Sequence, residues 1–182
     1  VIVVVEPHAD DAWLSLGAHI EAWVDEGERV QIVTVYGNAR RTGEASHYAD
    51  SVGAEHVGLG LPESGQGLAG DWTTELPPGS IPASLLDAAD RLIGPLGIQH
   101  PEHRAVRNAL LHRDPERYLE LPYYRKGKNL VELNEVVGSR RVVSMRPRPA
   151  RANRWSSIFA SQSTFWLYNR EMLTAAVEVI VQ

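Results

Sequence analysis

Five residues in two short motifs carry side chains that could do chemistry together: His8, Asp10 and Asp11 in EPHADDAWL, and His100 and His103 in HPEHR. The chain has no cysteine, so imidazole and carboxylate are the ligand types left for a metal. A catalytic zinc takes about three protein ligands and keeps one position for water. His8 and Asp11 are one helical turn apart, so both could reach one ion. Asp10 between them points elsewhere, close to a bound water that it could deprotonate as general base. The third ligand must come from far along the chain. Helix entry at His103 favours it over His100, which precedes Pro101 and is pushed into extended backbone. From there His100, as an imidazolium, could stabilise an oxyanion or protonate a leaving amine. A His, Asp, His set with open positions also fits the facial triad of non-haem iron, so zinc and Fe(II) both stay open.

Each motif also has a plain structural reading. Asp10 and Asp11 could do no more than cap and open the following helix, and His100 and His103 could decorate the start of another. The elements that must position the motifs separate these readings. Val1 to Val5 is continuously apolar and β-branched, the pattern of a strand buried on both faces. Trp13, Leu16, Ile20 and Trp23 then recur at helical spacing, and Gly27 is placed to end that helix. Residues 29–35 (RVQIVTV) make a second strand, so the chain opens as strand, helix, strand. A second repeat follows, with a helix between Arg41 and Gly53 and a strand at His56 to Leu59. Gly60 to Pro82 reads as a long loop. The spacing predicts a helix over 82–93, a short strand at 97–99 and a helix over 103–112. Further strands are expected at 118–122 and 141–145, and helices near 155–161 and 170–179. This is an α/β fold in one domain, 1–182. Both histidine motifs fall at strand carboxyl ends, where ligands collect in open α/β sheets.

The formal charge is -5 over 182 residues, which argues against non-specific nucleic-acid binding. Residues 1–91 hold fifteen acids against four Lys or Arg, a net of -11, and residues 92–182 a net of +6. No run of about twenty apolar residues occurs, so no membrane span is expected. Without cysteine or a recognisable signal segment, the chain reads as soluble and cytoplasmic.

PHADD near the start, with HPEHR about ninety residues later, resembles the PIG-L/LmbE family of zinc-dependent de-N-acetylases. RTGEASHYADSVGA resembles that family's R-x-x-E helix, and ASQ at 160–162 its Ser-Gln element. The usual motifs there are HPDD and HPDH. Here Ala9 stands where Pro is usual, Ala12 where Glu is frequent and Glu102 where Asp is usual, none of which removes a ligand. The resemblance implies a Rossmann-like, mostly parallel sheet with helices on both faces, zinc on His8, Asp11 and His103, Asp10 as general base and His100 as electrostatic or acid partner. It implies a zinc-dependent amide hydrolase that removes an N-acyl group, first of all acetyl, from an amino-sugar-containing small molecule or glycoconjugate.

Arg41, in the R-x-x-E helix, and Trp72, in the long loop, are the candidate substrate-binding residues. Trp13 and Trp23 belong to a helical apolar face and read as core. Arg140, Arg141, Arg146, Arg148, Arg151 and Arg154 could receive an anionic substrate group, although a solvated surface is the simpler reading. His19, His47, His56 and His112 read as structural or surface residues. Two other function classes stay open: an iron oxygenase, whose chemistry normally sits on an all-β jelly roll, and a non-catalytic carbohydrate-binding module.

Overall fold

The structure, a computed structural model, describes residues 1–63, 75–97, 100–120, 142–147 and 177–182. Strand β1 (Ile2–Glu6) is buried along its whole length. Its alternating side chains feed two separate cores: Ile2 and Val4 face one side of the sheet, and Val3 and Val5 the other. Helices cover both sides. On the first lie α1 (Asp11–Asp25), through Trp13, Leu16, Ile20 and Trp23, and α2 (Ala39–Val52), through Tyr48 and Ala49. On the second lie α3 (Ala83–Asp87), through Leu86, and α4 (Pro101–Leu110), through Val106 and Leu110. Gly27, with φ of 86°, turns the chain out of α1, as its sequence position predicts.

The remaining strands are β2 (Val30–Tyr36), β3 (Glu55–Leu61), β4 (Arg91–Pro95), β5 (Glu116–Tyr118), β6 (Val142–Pro147) and β7 (Val177–Val181). They form one mixed sheet in the order β3-β2-β1-β4-β5-β7-β6. The first five strands are parallel, while β7 is antiparallel to both β5 and β6. The fold is thus α/β with a mostly parallel sheet. From β1 the chain winds outward through β2 to β3, then returns to β1's other edge with β4. The crevice between β1 and β4 is therefore the topological switch point, the ligand-binding place of open α/β sheets. No helix among the described residues is long and apolar enough to cross a membrane.

Four expected elements differ, the first being the strand at 118–122, which lies at Glu116–Tyr118 and has ended before Leu119. The helix over 82–93 is helical only at Ala83–Asp87, and its end is strand β4, Arg91–Pro95. Short apolar runs do not separate helix from strand by periodicity, and here Gly94 and Pro95 exclude a continuing helix. A Cβ on Gly94 would sit 2.7 Å from Leu110 Cδ1, so the missing side chain lets α4 lie against β4. The strand expected at 97–99 is displaced to β4: Gly97 lies in the following connection with φ of 78°, and residues 98–99 fall outside the described residues. The expected helix near 170–179 ends instead in strand β7, whose β-branched VEVIV suits a sheet. The helix near 155–161, Trp72, ASQ at 160–162 and Arg140, Arg141, Arg148, Arg151 and Arg154 lie outside the described residues.

Candidate metal centre

Strand β1 ends at Glu6, and a four-residue turn, Pro7 to Asp10, leads into α1. Glu6 pins this turn. Its carboxylate accepts from the Ala12 N–H at 2.7 Å and the Thr34 hydroxyl at 2.6 Å, while Tyr36 N–H on β2 donates to Pro7 O at 2.8 Å. Burial, opposed by these hydrogen bonds, pushes the Glu6 carboxyl up to about 8. On the other side of the crevice His100 is the N-cap residue of α4, extended at φ −77° and ψ 125°, with Pro101 in the first turn. That is the geometry its position before proline predicts.

The two ends bring His8, Asp11 and His103 together. His8 Nδ1 and His103 Nε2 each lie 3.2 Å from Asp11 Oδ2, and the two nitrogens are 3.3 Å apart. Four ligand atoms in a tetrahedron at zinc distances have neighbours about 3.3 Å apart, so this triangle has the edge of one tetrahedral face. The His8 backbone N–H also donates to Asp11 Oδ2, at 2.9 Å, fixing the carboxylate from the turn itself.

The far nitrogens of both rings meet carboxylates. His8 Nε2 is 2.6 Å from Glu102 Oε2, and His103 Nδ1 is 3.1 Å from Glu120 Oε1. If those outer nitrogens carry the hydrogens, two imidazole lone pairs and a carboxylate oxygen converge on one point, an arrangement that calls for positive charge. Protonation expresses the same demand. Burial alone would push His8 down, but Asp11 and Glu102 outweigh it and carry the ring up to about 9. His103 rises to about 10 against the same opposing burial, through Asp11 and Glu120. Burial likewise opposes ionisation of Asp11, yet His103 and His8 hold its carboxyl well below the usual range. The described residues therefore offer a His, Asp, His cluster that could hold a cation.

Asp10 occupies the N-cap position of α1 but makes no capping hydrogen bond. Its Oδ1 instead accepts from Arg41 Nη2 at 2.9 Å, and Arg41 Nη1 donates to Glu63 at 2.7 Å. Burial and then the charge of Asp11 push the Asp10 carboxyl upward, while Arg41 pulls it back. Arg41, expected at the substrate, thus has its guanidinium engaged with two carboxylates. His100 packs edge-on against His8, with ring centroids 5.0 Å apart. Burial and then the neighbouring His103 and His8 push its imidazole down to about 4, which makes it neutral near pH 7 where the sequence suggests an imidazolium.

No family model matches the sequence, and no curated protein matches it. Solved structures do. A deacetylase of the teicoplanin biosynthesis pathway is similar with a TM-score of 0.64 at 17% identity, over 100% of this chain and 97% of that one. N,N'-diacetylchitobiose deacetylase from Pyrococcus horikoshii gives 0.51 at 14%, over 100% and 83%. The chain has the fold of these deacetylases. At such identities the likeness is one of fold alone, and 4-carboxy-2-hydroxymuconate hydratase from Pseudomonas putida KT2440 shares it, with a TM-score of 0.62 at 15% over 94% and 83%. A deacetylase fold therefore does not dictate the reaction.

Sequence reasoning missed the two outer carboxylates. Glu102 was visible inside HPEHR, where it counts only as a replacement for Asp. Glu120 carries no motif signal, because it joins the site through the pairing of β4 with β5. Of the other histidines, His19 is fully buried between Glu178 and Ser144, and His56 meets Thr34 at 2.8 Å, both in line with structural roles.

Proposed function

We propose that the chain is a metal-dependent amide hydrolase that removes an N-acyl group, acetyl first, from an amino-sugar-containing small molecule or glycoconjugate. The observation that carries this reading is the 3.2, 3.2 and 3.3 Å triangle of His8 Nδ1, Asp11 Oδ2 and His103 Nε2 at the switch point of the sheet. These residues would hold the ion, zinc before Fe(II). When bound, such an ion supplies a Lewis acid and a water whose pKa falls to about 7.

Asp10 is the general base. Released from helix capping and oriented by Arg41, it takes a proton from the attacking water and passes it to the departing amine. Its upward-shifted carboxyl suits a group that must both accept and return a proton near neutral pH. His100 acts as a neutral donor: its N–H can stabilise the developing oxyanion without a full charge. Water and amide thus become carboxylic acid and free amine. The deacetylases of the same fold, acting on a teicoplanin-pathway compound and on a diacetylated disaccharide, support the sugar-bearing substrate class. Trp72 remains a candidate for packing on the sugar.

The hydratase of the same fold favours one second reading, addition of water to an unsaturated acid by the same site. One assay separates the two. Purified protein loaded with Zn2+ is incubated with a panel of N-acyl amino sugars and their conjugates and, separately, with an unsaturated acid, and free amine, free acid and hydrated product are quantified with and without chelator. Chelator-sensitive release of both in equal amounts is expected. Binding without release points to a sugar-binding module, and hydration of an unsaturated acid with no amide turnover points to the second reading.

A further inference from the structure

We infer that Glu120 is a positioning residue for His103, holding the ring's Nδ1–H outward so that Nε2 is the atom presented to a divalent ion. This rests on the metal reading above. Glu120 lies just beyond β5 and is fully buried. Its Oε1 sits 3.1 Å from His103 Nδ1 and accepts from the Gly97 backbone N–H at 2.7 Å. The same oxygen already accepts from a backbone N–H and faces this ring nitrogen as an acceptor, so Nδ1 is the nitrogen that keeps the hydrogen in a neutral ring. In the singly protonated ring that an ion would bind, the lone pair is then on Nε2, the atom 3.2 Å from Asp11 Oδ2.

Glu120 is itself fixed. Gly97 has φ of 78°, and a Cβ there would meet Arg107 Cδ at 3.0 Å and the Arg104 backbone at 3.3 Å, so this backbone donor sits where only glycine fits readily. One oxygen thus ties together the β4–α4 connection, the end of β5 and the ring of His103. His8 has the opposite arrangement, with Nε2 outward to Glu102 and Nδ1 inward. The site therefore presents opposite nitrogens from its two histidines, each set by its own carboxylate, and such outer partners tune ligand basicity as well as orientation.

The test uses the full chain, Glu120→Ala and Glu120→Gln, titrated with Zn2+ in competition with a chromophoric chelator, with thermal melts of the metal-free proteins alongside. Glu120→Ala should weaken Zn2+ binding by about 10- to 100-fold. Glu120→Gln should lose less, because its amide oxygen still accepts from Gly97 and His103. Long-range 1H–15N spectra of zinc-loaded wild type give a second readout that needs no variant to fold. They should show His103 protonated at Nδ1 and His8 protonated at Nε2. A folded Glu120→Ala protein with wild-type Zn2+ affinity, or a His103 bound through Nδ1, overturns the inference while leaving the metal reading intact. Wild type that binds no Zn2+ overturns both.

Discussion

Glu102 Oε2 lies 2.6 Å from His8 Nε2, on the edge of the ring opposite Asp11. It is also 3.9 Å from His100 Nδ1. A shorter Asp at position 102 would have to give up reach toward His8. Glu102→Asp is therefore expected to weaken metal binding, and Glu102→Ala to weaken it more, by about 10- to 100-fold. A competitive chelator titration measures both. Unchanged affinity in Glu102→Ala would show that the 2.6 Å contact does not orient the ligand.

The proposed function gives the neighbours Asp10 and Asp11 different roles, base and ligand. Asp10→Asn should keep about one equivalent of metal yet lose roughly 100- to 10,000-fold in amine release, the usual size of a general-base contribution. Metal content and kcat are read on the same preparation. Full activity in Asp10→Asn would end the proposed division.

Arg41 discriminates between a substrate contact and support for the base. Its charge pulls the Asp10 carboxyl down against burial and Asp11. Removing it in Arg41→Met lets the Asp10 carboxyl rise, and because the base must be deprotonated to act, the acid limb of the kcat/KM profile should move to higher pH. A substrate-binding role would instead raise KM at every pH and leave that limb in place.

How far the sequence reached depended on distance along the chain. The opening β1–α1–β2 unit was legible because a continuous β-branched run gives way to a 3.6-residue period, both local signals. Strand β4 was hidden because the apolar pair Leu92 and Ile93 is too short to carry a period of its own. His8, Asp11 and His103 could be picked out by residue type, since a chain without thiols has few ways to hold a metal. Glu120 could not be, since only the sheet brings it to His103. The downward pull on the His100 imidazole was equally hidden, because it comes from burial and from two neighbouring rings.

The far edge of the sheet gives a stability prediction. Glu178 on β7 is fully buried and accepts from the Ala18 and His19 backbone N–H groups, at 2.9 and 3.1 Å, while its Oε2 lies 3.1 Å from His19 Nδ1. Glu178→Ala leaves these donors without their acceptor and should cost about 3 kcal/mol. A denaturant melt measures it. A loss below about 0.5 kcal/mol, the ordinary range of surface substitutions, would mean that this clasp between α1 and β7 does not hold the sheet edge.

The central claim is that one divalent ion sits among His8, Asp11 and His103. Anomalous diffraction at the zinc edge from zinc-loaded crystals tests it most directly. A single strong peak about 2.0–2.2 Å from His8 Nδ1, Asp11 Oδ2 and His103 Nε2 is the predicted result. A zinc peak elsewhere with these three side chains still in mutual contact, or no peak at all, would contradict it.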